Sequence, residues 1–223
     1  MHDAALNSAV LTVEHTEEPG RFYAHLAQGL HAMAQPLTIL RSSVVASTAP
    51  GISADRHRRY LDISTQQVER ACGLFECLQD LVIARQVAAD CKAFDLEELT
   101  AQAIEDHEAV FQSAGVSVIV TKKGILQPVL GDEVRTRQAL CAALKIAASM
   151  ASPDDEIELL MITRNPWVEC VVRNRRAHGR NLDSSQHLSL SLAETNIRSQ
   201  RGEYQCIVDP LCITWALPTQ IAS

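Results

Sequence analysis

Two consecutive stretches of this chain place apolar or small residues at alternating short intervals. Leu26, Leu30, Met33, Leu37, Leu40 and Val44 follow one another at 4, 3, 4, 3 and 4 residues. Leu61, Ser64, Val68, Ala71, Phe75, Leu78 and Val82 follow at 3, 4, 3, 4, 3 and 4. Such a seam marks helices that pack side by side; a strand, with its period of two, does not present it. Between the seams lies STAPGISAD, in which Pro50-Gly51 breaks a helix and Ser53 or Asp55 can cap the next. The spacing predicts helices over residues 21–47 and 54–88, folded back as an antiparallel hairpin. A lone hairpin cannot cover both seams, so a homodimeric four-helix bundle is expected.

The first helix carries HAMAQPLTIL, residues 31–40. His31 falls beside Leu30 at the edge of the apolar stripe, where an imidazole reaches solvent. Pro36 sits inside the helical pattern, removing a hydrogen bond and crowding the carbonyl of Ala32, at a cost of about 3 kcal/mol. A bend near His31 is the expected response. His25 and His57 read as solvated or packing residues, and the three histidines have no recognised metal-ligand spacing.

After Cys91-Lys92 the pattern changes. FDLEELTAQAIEDHEAVFQSAGVSVIVT reads as a short strand, a helix and a strand, and PVLGDEVRTRQALCAALKIAASMA as a turn and a long apolar helix. EIELLMI and WVECVVR flank a turn at Arg164-Asn165-Pro166; a helix over about residues 188–199 precedes EYQCIV and LCITWALP. The fold class is α+β. Residues 1–18 form a tail, frayed or briefly helical; 19–90 form the hairpin; 91–223 form a layered α/β unit with mostly antiparallel strands.

H-x-x-x-x-P-L-T-x-L resembles the H-box of the dimerisation and histidine-phosphotransfer domain of bacterial sensor histidine kinases. His31 matches the phosphorylated histidine and Pro36-Leu37-Thr38 the Pro-Leu-Thr of that family. Val129-Leu130-Gly131-Asp132 followed by Arg137-Gln138-Ala139-Leu140 looks like the entry to the asparagine-box helix of its ATP-binding, GHKL-type domain. The closing LSLAETNIRSQRGEYQCIVDPLCITWALP looks like its last helix and hairpin. The resemblance spans about residues 20–218 and implies two-component signalling.

Three elements that the resemblance would require for ATP are missing together. Ile146 and Ala142 stand near the position of the magnesium-binding asparagine, and neither coordinates magnesium. Arg173-Asn174-Arg175-Arg176 stands where an adenine-reading aspartate and its glycines belong, and arginine cannot accept a hydrogen bond from an adenine amino group. NLDSSQHLSLS lacks the paired glycines of a phosphate-wrapping lid. The residue after His31 is Ala32, where kinases of this family carry the acidic general base. Gln35 could orient a water or a phosphoryl oxygen.

The resemblance, thinned in this way, is to ChpT-type histidine phosphotransferases and more distantly to the sporulation phosphotransferase of bacilli. It implies phosphoryl transfer between His31 and the aspartate of a response-regulator receiver domain, with Gln35, Pro36 and Thr38 around the histidine. No cofactor is expected on this chain: magnesium would come with the receiver, and ATP binding is not expected. An upstream histidine kinase is a further candidate partner. Two alternatives stand beside this reading, an active kinase with a divergent ATP site and a non-catalytic scaffold that binds a receiver or a kinase. Arg173, Arg175, Arg176 and Arg180 form a basic loop, RNRRAHGR, in an acidic chain. The loop is either a solvated face or a dock for an acidic receiver surface or a phosphate-bearing ligand.

The totals narrow the remaining classes. A formal net charge of −7 and 4% aromatic residues argue against nucleic-acid binding. Seven cysteines without a C-x-x-C pair indicate neither a zinc cluster nor a redox motif, and fit a reducing cytoplasm. No run reaches the ~18–20 apolar residues of a membrane span, and no signal peptide is recognisable. No G-x-S-x-G places a serine nucleophile.

Overall fold

The computed structural model describes residues 19–219, apart from 177, 178 and 180. The tail expected over residues 1–18 lies outside the described residues.

The hairpin forms as the seams require. Helix α1 (Pro19–Ser47) runs unbroken through Pro36. Helix α2 (Ala54–Gln86) begins where Ser53 Oγ accepts from Arg56 N at 3.4 Å, while Asp55 occupies the first turn. At about 1.5 Å per residue the two rods are some 45–50 Å long. Gly29, Ala32, Pro36 and Ser43 of α1 are buried, as are Leu74, Leu78, Leu81 and Ala84 of α2.

The second unit opens with β1 (Lys92–Phe94), α3 (Leu96–Asp106), α4 (Glu108–Ala114) and β2 (Ser117–Lys123). The single helix expected between β1 and β2 is therefore two. His107 breaks it: its ring is buried and Nδ1 lies 2.8 Å from Ala103 O, while its backbone leaves the helical region at φ −108°. Then follow β3 (Val129–Gly131), α5 (Glu133–Ser149), β4 (Glu156–Arg164), β5 (Trp167–Asn174), α6 (Ser184–Arg198), β6 (Glu203–Ile207) and β7 (Leu211–Pro218). Helix α6 starts one turn earlier than its apolar rhythm suggests. Asp183 caps it, and Gln186 returns a bond to Asp183 N, a reciprocal box that extends the helix N-terminally.

Five strands form one sheet in the order β2-β4-β5-β7-β6, with β2 parallel to β4 and all other pairs antiparallel; β1 and β3 make a separate antiparallel pair. Leu140, Ala143, Leu144 and Ala147 of α5 pack on Ile157, Leu159, Met161, Cys170, Val172, Ile213 and Trp215 to make the main core. A second core sits elsewhere. Ala32, Leu74, Leu78 and Leu81 of the hairpin enclose Leu188 of α6, with Phe22, Leu26, Met33, Cys77 and Leu192 around them. The α/β unit is thus seated on the hairpin through α6.

Candidate functional site: an exposed histidine on a three-sided helix

Helix α1 has three faces, and their order follows from 100° per residue. One, through Gly29, Ala32, Pro36 and Ser43, is buried against α2 and α6. A second carries Leu30, Leu37 and Val44, exposed and seven residues apart. The third carries His31, Gln35, Thr38 and Ser42, all exposed. His31 thus projects into solvent about 130° round the helix from the buried face.

Gln35 follows His31 by one turn, the spacing at which two helical side chains meet. Thr38 Oγ1 donates to Ala34 O at 2.7 Å, and Ser42 Oγ donates to Thr38 O at 2.9 Å. Both hydroxyls are therefore turned onto the helix. Pro36 is buried and lacks an N–H, which denies the Ala32 carbonyl its helical donor. Further along, Thr38, Arg41, Ser42, Val45 and Ala46 line an open depression of about 440 Å³.

The neighbour of His31 is equally informative. Ala32 is buried in the cluster that holds Leu188. A glutamate or aspartate there would start from a backbone position facing apolar side chains, where an ionised carboxylate is expensive. Two residues before His31, Gly29 is required by close approach. A Cβ there would come within 2.5 Å of Leu78 Cδ2 and 3.2 Å of Leu188 Cδ1.

In the α/β unit, Ile146 is turned into the main core and Ala142 packs against it. Arg173 grips Glu158 with two parallel bonds of 2.8 Å, Nε to Oε2 and Nη2 to Oε1. The Arg173 hydrogen bond holds the Glu158 carboxyl below its usual range, and the same contact raises Arg173. Asn174 is fully buried: Oδ1 accepts from Arg176 N at 2.9 Å and Nδ2 reaches Asp155 Oδ2 at 3.4 Å. Arg175 and Arg176 point outward with longer ion pairs, 3.3 Å to Glu158 and 3.7 Å to Asp155. Arg180 lies outside the described residues. At the foot of α6, Leu182 enters the main core and Gln186 Nε2 donates to Ser149 Oγ at 2.8 Å, tying α6 to the end of α5.

Sequence reasoning missed the junction between the two units. Arg135, at the start of α5, is buried. Its Nη1 donates to Ala84 O at 3.0 Å and Ser199 Oγ at 2.7 Å, and its Nη2 to Val87 O at 2.7 Å. Its Nε lies 3.4 Å from Asp132, whose carboxylate also accepts from Asp90 N at 3.0 Å. Nothing in RTRQ distinguishes this arginine from a solvated helical one.

Among the described residues no helix is long and apolar enough to cross a membrane, and no three His, Cys, Asp or Glu side chains gather as a metal site.

No family model matches the chain, and no curated protein matches it. Solved structures do. The histidine kinase AdeS of Acinetobacter baumannii superposes with a TM-score of 0.66 at 16% identity, over 86% of this chain and 98% of that one. Histidine kinase ThkA, solved in complex with the response regulator TrrA, gives 0.70 at 16% identity over 90% of this chain and 62% of that one. Full-length ShkA in complex with AMPPNP gives 0.58 at 13% identity over 92% and 47%. The chain has a histidine kinase-like fold, hairpin and ATPase-like domain together.

Proposed function

We propose that this chain is a homodimeric histidine phosphotransfer protein of a two-component system, located in the cytoplasm with its partners. His31 takes a phosphoryl group from the aspartate of a receiver domain and passes it to another such aspartate. The observation that carries this reading is the pairing of a solvent-facing His31 with an Ala32 packed away beneath Leu188. The position that would hold a base for attack on ATP faces an apolar cluster, while the nucleophile stands free.

The chemistry asks little of the chain. An imidazole nitrogen lone pair attacks the phosphorus of an aspartyl phosphate, the N–P bond forms, the P–O bond breaks, and the carboxylate leaves with the bonding electrons. Electrostatic stabilisation of the transferring group comes from the magnesium ion of the receiver. The α1 helix supplies a rigid mount, and Gln35 stands where its amide can meet a phosphoryl oxygen.

The residues where the fold would hold magnesium-ATP do not suit it. A buried isoleucine offers magnesium no ligand, and Arg173 is committed to Glu158. Leu30, Leu37 and Val44 on α1, with Leu61, Val68 and Phe75 on α2, remain exposed at seven-residue spacing. That is the half of each seam the hairpin cannot cover, and it supports pairing with a second copy. Among the described residues of the basic loop, Arg175 and Arg176 face solvent, and they fit an acidic partner surface.

The test supplies magnesium-ATP and, separately, a phosphorylated receiver domain to the full chain, and measures acid-labile phosphate. Label from the receiver alone, absent from His31→Ala, is the expected result. Label from ATP would make the chain a kinase. Receiver binding without label, unchanged in His31→Ala, would make it a scaffold.

A further inference from the structure

The junction between the hairpin and the α/β unit is short, and residues 88–91 alone could not fix one against the other. Arg135 does what the linker cannot. A helix ends with carbonyls that have no donor of their own. On α2, Ile83 O is met by Val87 N, while Ala84 O and Val87 O are met by the Arg135 guanidinium from the other unit. The same guanidinium bonds Ser199 just past α6, and Asp132 beside it holds Asp90 of the linker. One buried side chain therefore ties the end of α2, the end of α6 and the start of α5. The planar fork of arginine suits this, because several donors are spent without bending.

The contacts do not stop there. Moving back along α2, Asp80 accepts from Gln138 of α5 at 3.3 Å, Leu78 packs on Leu188, and Arg70 pairs with Asp183 at 3.6 Å. Burial at this boundary pushes the Cys77 thiol up to about 11, partly opposed by a bond from Ser189 of α6. From Arg70 to Val87 the seated length is about 25 Å, half of α2. Its other edge is α1 at Gly29 and Ala32, directly beside His31.

We infer that Arg135 is a positioning residue: by capping α2 from the second domain it holds α6 against the buried face of the α1 turn that carries His31, so that hairpin and α/β unit move as one body. The ATPase-like domain is then a fixed flank of the phosphoacceptor helix, and a partner approaching His31 meets α1 with α6 already in place.

Backbone residual dipolar couplings on the full-length protein test this. In the wild type, couplings from the hairpin and from the α/β unit should fit a single alignment tensor. In Arg135→Met, which keeps the length of the side chain and loses its donors, they should need two. Two tensors in the wild type, or one shared tensor in Arg135→Met, would overturn the inference. Should Arg135→Met fail to fold, Arg135→Lys takes its place and should fit a shared tensor less well than wild type; a fit as good as wild type would overturn the inference. A second measurement rests on the phosphotransfer reading: with a phosphorylated receiver, Arg135→Met should raise KM about tenfold and leave kcat within about twofold, with partial recovery in Arg135→Lys. A fall in kcat at unchanged KM would contradict a positioning role. The tensors remain informative where no phosphohistidine forms, so failure of the lock and failure of the phosphotransfer reading are separable.

Discussion

In the proposed homodimer, replacing Leu37 by aspartate should convert the protein from dimer to monomer. Leu30, Leu37, Val44, Leu61, Val68 and Phe75 are between 44% and 64% exposed in the protomer. Full burial of such a side chain is worth about 2 kcal/mol, so each has roughly 1 kcal/mol still to gain. Six residues on each of two chains give about 12 kcal/mol. Association costs of about 4 kcal/mol offset part of that, leaving about 8 kcal/mol, a dissociation constant near 1 µM. Leu37→Asp removes about 1 kcal/mol from each chain and desolvates a carboxylate on each, at roughly 2 kcal/mol or more apiece. The total, about 6 kcal/mol, weakens pairing by roughly ten-thousandfold. Sedimentation equilibrium reads this directly: wild type at twice the 24.4 kDa chain mass, Leu37→Asp at that mass itself. Far-UV circular dichroism should be unchanged, because this position is half exposed in the protomer. A dimeric Leu37→Asp, or a wild type that is monomeric at tens of micromolar, would show that the exposed heptad stripe is not the interface.

Two further substitutions probe stability. Leu188→Ala empties the centre of the cluster between α6 and the hairpin and should cost about 2–5 kcal/mol, measured as a lowered urea midpoint; a loss under about 1 kcal/mol would mean that α6 is not seated there. Arg173→Met removes the partner that holds Glu158 below its ordinary range. Because the folded carboxyl titrates below the unfolded value of about 4.3, the stabilisation is full above that pH and fades as pH falls through the folded value. The gap in thermal midpoint between wild type and Arg173→Met should therefore be widest near neutrality and narrow below pH ~4. A gap constant from pH 7 to 3 would refute the assignment.

The helices of the hairpin were legible because their pattern is dense and local: an apolar residue every three or four positions needs no distant partner to be interpreted. The seam alone could not say which half is covered within the protomer. That division depends on α6, which arrives more than a hundred residues later and covers Gly29 and Ala32. The place of His31 on an outer face was readable from its phase against Leu30. The start of α6 was also written in the chain, as Asp183 followed three residues later by Gln186 ahead of an apolar run. The break at His107 was not, since its cause is a ring turned back to bond Ala103 within the core. Arg135 is the clearest case of silence. Its role lies in carbonyls far away in sequence, and a backbone carbonyl has no residue type to recognise.

The cap that α2 receives from Arg135 makes the hairpin a poor candidate for separate existence. Cut after residue 90, it would surrender the donors to Ala84 O and Val87 O and present Leu74, Leu78 and Leu81 to water. Its last turns would fray, and the newly bared leucines would compete with the heptad stripe for a partner, favouring wrong pairings of four helices. The chain should therefore be inherited, recombined and transplanted as a whole. A hybrid that borrows this histidine-bearing hairpin would need α6 and Arg135 of this chain as well, because those elements complete the helix on which the histidine's neighbours rest.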